Sequence, residues 1–372
     1  MNSINRPPRQ SVGCRLHCEQ LEDRLTPAIL TVTNAADVPV PGLFNLRERI
    51  TQANNQVTNP GLDTIDFAPG LYTAGNLTLQ VLSTLPTITD DLIIDGTAGR
   101  VTVEPANQPA QFRLFQVVTT AGPPRVNVTF MNLTVTGGNA SNPADPNGGG
   151  IAMWDATVTL DNCDVSGNSA LGNGGGLWAD GNPSQLTLKN NSLVSHNHAG
   201  ANGGGIAVTN TTLKVEQGTQ VRNNTAGLGG GGIAAFANNY KGNGILDFVT
   251  LDGTNGLVQV NNNLALSGDG GGVLVQELNA GAAVPFVSFQ HTDVNGNTAV
   301  GIAPAAGQPW TSGQGGGVAL HGGLWVTADN ATNVVGNWQS APAPLLGVFL
   351  DPALVLDGFS GSANVVNNNQ LP

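Results

Sequence analysis

After each of six glycine triplets the chain alternates between apolar and mixed positions. The triplets occupy 148–150, 174–176, 203–205, 230–232, 270–272 and 315–317, and their starts lie 26, 29, 27, 40 and 45 residues apart. The first residue after them reads Ile151, Leu177, Ile206, Ile233, Val273, Val318, and the third reads Met153, Ala179, Val208, Ala235, Val275, Leu320. Strict alternation marks a strand with one buried face. Six such strands in one phase predict an inward aliphatic ladder. A second strand per period keeps the same register: Val158 and Leu160 match Leu186 and Leu188, then Leu213 and Val215. The outward residue behind each pair is Asp161, Lys189 and Glu216. Stacking about 4.8 Å apart would select such alternating charge.

A third inward position comes from five Val-x-x-Asn-x-Ala units, whose Asn members are Asn168, Asn197, Asn224, Asn263 and Asn297. Each Asn is expected at a bend, in left-handed backbone, hydrogen-bonding along a stack of identical neighbours. The glycines relieve crowding at the next bend. Three short strands and three bends per period describe an all-β, right-handed parallel β-helix, a solenoid of stacked coils. The two longer periods place insertions at 238–244 and 301–314. About nine coils fit after Val126.

Before residue 126 the pattern is less regular. Strand signals fall at 29–33, 64–67, 77–82, 91–95, 101–104 and 113–118. One helix is predicted over 46–55, with Asn45 as cap, Glu48 completing a capping box, and Leu46, Ile50 and Ala53 as the apolar face. The expected organisation is a leader over 1–28, a cap with irregular first coils over 29–125, and the β-helix over 126–372.

Composition narrows the function classes. Charged residues are only 10% of the 372-residue chain, and the formal net charge is −12. After residue 125 the only basic side chains are Lys189, Lys214, Arg222 and Lys241. A nucleic-acid binder needs a basic stripe, and none is present. Acidic glycans would meet the same repulsion unless metal ions bridged them. Cys14, Cys18 and Cys163 form neither a disulfide framework nor a zinc-ligand set. No run of 18 apolar residues occurs, so no membrane-spanning helix is expected.

Two segments resemble known modules. Leu21-Glu22-Asp23-Arg24-Leu25-Thr26-Pro27-Ala28 resembles the short leader of many planctomycete surface proteins. That likeness implies export. Leu46-Arg47-Glu48-Arg49-Ile50, Ala53-Asn54 and 63–70, with a later echo at 88–96, resemble the CSLREA-type module that opens many bacterial secreted repeat proteins. Phe44 stands where that module has Cys, and Arg49 where it has Ala. The module implies a secreted or surface setting and a β-helix downstream. The glycine-rich repeats are similar to those of β-helical bacterial adhesins.

Pectate-lyase-like enzymes share this architecture, but their chemistry needs a base beside clustered calcium-binding acids. Arg222 is the only arginine after residue 125, and its turn carries no acidic cluster. Hydrolysis of the polygalacturonase type needs carboxylates on neighbouring coils. Asp90-Asp91 and His321-Gly322-Gly323 lie far apart in the chain, and Asp161 has a partner in Lys189. His196 and His198 flank Asn197 and could share a metal, although two imidazoles make an incomplete set. Asp269 is reminiscent of calcium-binding repeats without their aspartate period. Trp154 and Trp178 fall at outward positions of successive coils, where exposed indoles would offer a platform to a sugar chain.

The sequence therefore points to an extracellular or cell-surface protein with a structural or adhesive role, Trp154 and Trp178 being the carbohydrate-binding candidates. No catalytic, cofactor or metal site is expected. The alternative is a polysaccharide lyase or glycoside hydrolase. Partners would be an extracellular polysaccharide or a cell-surface protein, with no nucleic acid and no membrane span.

Overall fold

The computed structural model describes residues 28–55, 61–120, 124–238, 244–279, 283–301, 315–321, 324–328, 331–335, 337–339 and 348–350. The leader with Cys14 and Cys18, most of both insertions and the chain beyond residue 350 fall outside them.

The chain is a parallel β-helix. It visits three parallel sheets in turn, coil after coil, and each strand pairs with its equivalents one coil before and one coil after. The first sheet carries the strands that follow the glycines and the second strand of each coil. Its register runs Ile151–Leu177–Ile206–Ile233–Val273–Val318 on one row and Val158–Leu186–Leu213–Val249–Val287 on the other. The second sheet stacks Val165, Val194, Val221, Val260, Val294 and Val334. The third consists of two-residue strands, from Asn139–Ala140 through Ser169–Ala170 to Trp338–Gln339. All three aliphatic rows are buried. Removing each such side chain from water stabilises the fold by about 1.5–3 kcal/mol.

One detail differs from the expected coil. In Leu177–Lys189 and Ile206–Glu216 the first two strands run on as one, with a register shift between Asp180 and Ser184 in place of a full bend. A bulge turns the chain without ending the ladder. Among the described residues, seven strands of the second sheet follow residue 126, from Leu133–Thr136 to Asn333–Val335.

The Asn units form a buried ladder. Asn168, Asn197, Asn224, Asn263, Asn297 and Asn337 are each 0–1% exposed. The Nδ2 of each donates to the Oδ1 of the next at 2.9–3.1 Å. The same Oδ1 accepts the preceding coil's Asn backbone N–H at 2.9–3.0 Å. Asn337 extends the series although Gln339 stands where the motif has Ala. The left-handed residue is the one before the ladder position: Gly167, His196, Asn223, Asn262 and Gly296 have φ between 55° and 65°, whereas no ladder Asn has positive φ. The ladder side chain must point inward, so the turn is made one residue earlier.

At the N-terminal end, Leu46–Ala53 is helical, with Asn45 and Glu48 in the reciprocal capping box and Leu46, Ile50 and Ala53 buried. The helix packs on Ile29–Val32, the terminal strand of the first sheet. It so covers an edge that would otherwise pair with another chain. The Arg49 guanidinium lies 3.8 Å from the Phe44 ring centroid, so the two side chains touch each other. Among the described residues no helix is long and apolar enough to cross a membrane.

Candidate functional site

The outer face of the first sheet was expected to expose both tryptophans, and it separates them. The second row after the glycines aligns Gln116, Ala152, Trp178, Ala207, Ala234, Leu274 and Ala319. From Ala152 onward this row is buried. The first glycine of each triplet has φ near 65° and folds back across it. A Cβ built on Gly174 would lie 2.9 Å from the Trp178 Cβ, and one on Gly203 2.7 Å from the Ala207 Cβ. Trp178 is therefore only 7% exposed and offers no platform for a ligand. Trp154, in the fourth row, is half-buried, with its ring centroid 4.6 Å from that of Trp178 at 64°. Such an edge-to-face pair fixes the indole orientation.

Trp154 also borders a buried arginine. Arg113 precedes the strand Phe115–Val118, whose Phe115 and Val117 enter the core. The guanidinium carbon lies 5.4 Å from the Trp154 ring centroid. Nη2 forms an ion pair with Asp145 Oδ1 at 2.6 Å and donates to the Asp145 carbonyl at 2.9 Å. The Arg113 side chain is 5% exposed, and its Nη1 has no acceptor. The opposing carboxylate is held at the surface by a tight turn, in which the Asp145 N–H donates to the Asn142 carbonyl at 3.0 Å. Arg113 and Asp145 line an open cleft of about 150 Å³ together with Gln111, Gln116, Ser141 and Asn142.

The remaining sequence candidates do not assemble into a second centre. Asp155 pairs with Arg125 at 2.7 Å, and its N–H donates to the Asp180 carbonyl at 2.9 Å. Burial pushes the Asp180 carboxyl above the ordinary carboxylate range, the Gly181 N–H lowers it, and the Asp155 charge raises it further. Asp161 and Lys189 are register partners and pair at 3.5 Å, as expected. Glu216 instead aligns with Asp252, so the alternation of charge ends there. His196 and His198 are both exposed, and His321 meets Asp269 at 3.3 Å. Arg222 aligns with Ser195 and Asn261 on the second sheet. Cys163 is buried, its thiol donates to the Phe130 carbonyl at 3.2 Å, and burial pushes its pKa up to about 12. Among the described residues no group of three or more His, Cys, Asp and Glu is placed to hold a metal ion.

Arg113 and Asp145 were not singled out from the sequence. No strand phase announces them: Arg113, Leu114 and Phe115 are buried in succession, so the alternation begins only with the strand at Phe115, and the Arg113 guanidinium lies on the Trp154 side of the sheet. Its partner is 32 residues away, which no local pattern reveals. Comparison with protein-family models, with curated proteins and with solved structures gave no match.

Proposed function

We propose that this protein is an extracellular or cell-surface β-helix with a structural or adhesive role, holding polysaccharide at the outer face of its N-terminal coils. The observation that carries this reading is Trp154: a half-buried indole held against Trp178 and beside Arg113, the arginine that lines a cleft of amide and hydroxyl side chains. Sugar recognition joins an aromatic face to a few fixed polar groups, and this arrangement supplies both. The buried Asn ladder supports a stiff scaffold, because members such as Asn197 are tied to the coils on either side. Export is supported by the leader and CSLREA-type resemblances of the sequence.

One observation favours glycoside hydrolysis as a second reading. Asp180 and Asp155 are neighbours, and burial raises the Asp180 carboxyl above the ordinary carboxylate range, as a general acid would require.

The test is to incubate the protein with neutral and acidic polysaccharides, with and without Ca²⁺, and to assay pull-down and new chain ends together. Pull-down without cleavage, weakened about tenfold by Trp154→Ala, supports the binding role. New reducing ends that vanish in Asp180→Asn would replace it with hydrolysis. Absence of both signals overturns polysaccharide binding and leaves a protein partner.

A further inference from the structure

We infer that the bond between Pro27 and Ala28 is a processing site, and that the α-ammonium freed at Ala28 pairs with the buried Asp63 carboxylate and locks the first coil. This deepens the export reading and rests on it; polysaccharide binding is not involved. The argument begins at Asp63, which heads the strand Asp63–Phe67 and is 0% exposed. Its Oδ1 accepts the Ala28 N–H at 3.0 Å, and its Oδ2 has no donor. A carboxylate buried with one neutral donor is costly to ionise. Burial accordingly raises the Asp63 carboxyl above the ordinary range, and the Ala28 hydrogen bond lowers it by less.

No side chain of the cap is placed to answer that charge. The basic residues between 28 and 99 are Arg47 and Arg49. Arg47 pairs with Asp37, and Arg49 donates to the Thr31 carbonyl and to Gln52. The neighbouring acids add negative charge. Asp90 Oδ2 is buried without a donor, and Asp90 is raised by burial first and then by Asp91 and Asp63. Asp91 Oδ1 accepts the Asn127 N–H at 2.8 Å, and Glu48 accepts the Asn45 N–H at 2.9 Å.

The missing cation is one hydrolysis away. Water adds across the amide, the C–N bond breaks, Pro27 keeps a carboxylate and Ala28 an ammonium. A peptidase that cuts after proline catalyses the step during export. An amide nitrogen has one hydrogen, already given to Oδ1, whereas an ammonium has three. One keeps Oδ1, a second serves Oδ2 on the same carboxyl carbon, and the charge makes both bonds stronger. The nitrogen is already in place, because Ala28 packs on the core and its carbonyl accepts the Thr64 N–H at 2.9 Å. Ile29 is 71% exposed, so the chain enters the solenoid at its surface. A terminus one residue away would shift the charge by about 3.8 Å. The strand so locked, Ile29–Val32, is the terminal one of the first sheet, where pairing with other chains is the hazard.

Two measurements test this. Mass spectrometry of protein recovered from outside the cells that make it is expected to place the N-terminus at Ala28. Full chains with an Ile-Glu-Gly-Arg site inserted before Ala28 are then co-expressed with the matching protease, so that Ala28 comes first. A companion chain has one glycine between the site and Ala28. At about pH 7 the Ala28 form is expected to melt at least about 3 °C above the glycine form. Amide exchange at 29–32 and 63–67 should be at least about tenfold slower in it. A free α-amino group titrates near about 8, and the carboxylate raises that value in the folded state. The gap is therefore full below about pH 8 and closes as pH rises through the raised value. Asp63→Asn, which is expected to raise the melting temperature of the uncut chain, lowers it in the cut one. If Asp63→Asn fails to fold, the glycine comparison decides. Equal melting of the two cut forms, a gap unchanged at about pH 11, or an Asp63→Asn effect of one sign in cut and uncut chains would each overturn the inference. An exported protein whose N-terminus lies elsewhere removes the inference alone. Protein that never leaves the cell removes the export reading as well.

Discussion

Asp63 is 0% exposed, with Oδ1 accepting the Ala28 N–H at 3.0 Å and Oδ2 without a donor. Burial raises its pKa above the ordinary carboxylate range, and the Ala28 hydrogen bond lowers it by less. Asp90 is raised too, by burial first and then by Asp91 and Asp63. A raised folded pKa means that the native state holds the proton more tightly than the unfolded chain. Stability from this source is present at low pH and is lost as pH rises through the raised value. Asp63→Asn keeps the acceptor for Ala28 and carries no charge. It is expected to melt a few degrees above the parent at pH 7.5, with the difference closing near pH 3.5. Thermal unfolding at both pH values checks this. A gap that stays constant or widens on acidification would show that charge burial at Asp63 is not the cause. The two tryptophans teach the related lesson that outward is not exposed. Trp178 obeys the strand alternation and is still buried, because glycines from its own coil lie over it.

At the level of the strand and the bend, the glycine and asparagine positions do different work, and substitution separates them. A Cβ on Gly204 would collide with the carbonyl of Gly231 and the backbone of Thr225. Backbone cannot rotate away, so Gly204→Ala is expected to cost at least about 3 kcal/mol or to prevent folding. Gly167 is a contrasting case. It has φ 65°, but the nearest atom to a Cβ there is Thr136 Oγ1 at 3.3 Å. Other coils place His196, Asn223 and Asn262 at the equivalent bend with positive φ. Gly167→Asn should therefore fall within about 1 kcal/mol of wild type in denaturant unfolding. Equal damage from both substitutions would refute this division of roles. The inward rows and the Asn ladder were legible in the sequence because each repeats one residue type at one phase. The assignment of the left-handed residue was not, because Asn occupies both that position and the ladder beside it. The Arg113–Asp145 pair was hidden for another reason: it forms once, in one coil, and has no repeat to announce it.

Along the whole molecule, strand pairing among the described residues joins each coil to its two neighbours, so stability is approximately a sum of coil and interface terms. Asn224 sits mid-ladder. Its Oδ1 accepts from both Asn197 N and Asn197 Nδ2 at 3.0 Å, and its Nδ2 donates to the Val194 carbonyl and to Asn263 Oδ1, each at 3.0 Å. Asn224→Ala strips the acceptor from two buried donors and is expected to cost about 2–4 kcal/mol. In a solenoid that cost is paid locally. Hydrogen exchange should quicken at 194–199, 221–226 and 263–265, and stay at the wild-type rate at 101–103 and 128–135. A uniform increase over the chain would mean that the coils unfold as one cooperative body. The same locality bears on function, because the Arg113–Trp154 region lies on coils before the damaged one. Trp154-dependent polysaccharide pull-down in Asn224→Ala should thus equal that of wild type. A binding defect there would instead show that the cleft depends on the integrity of the whole stack.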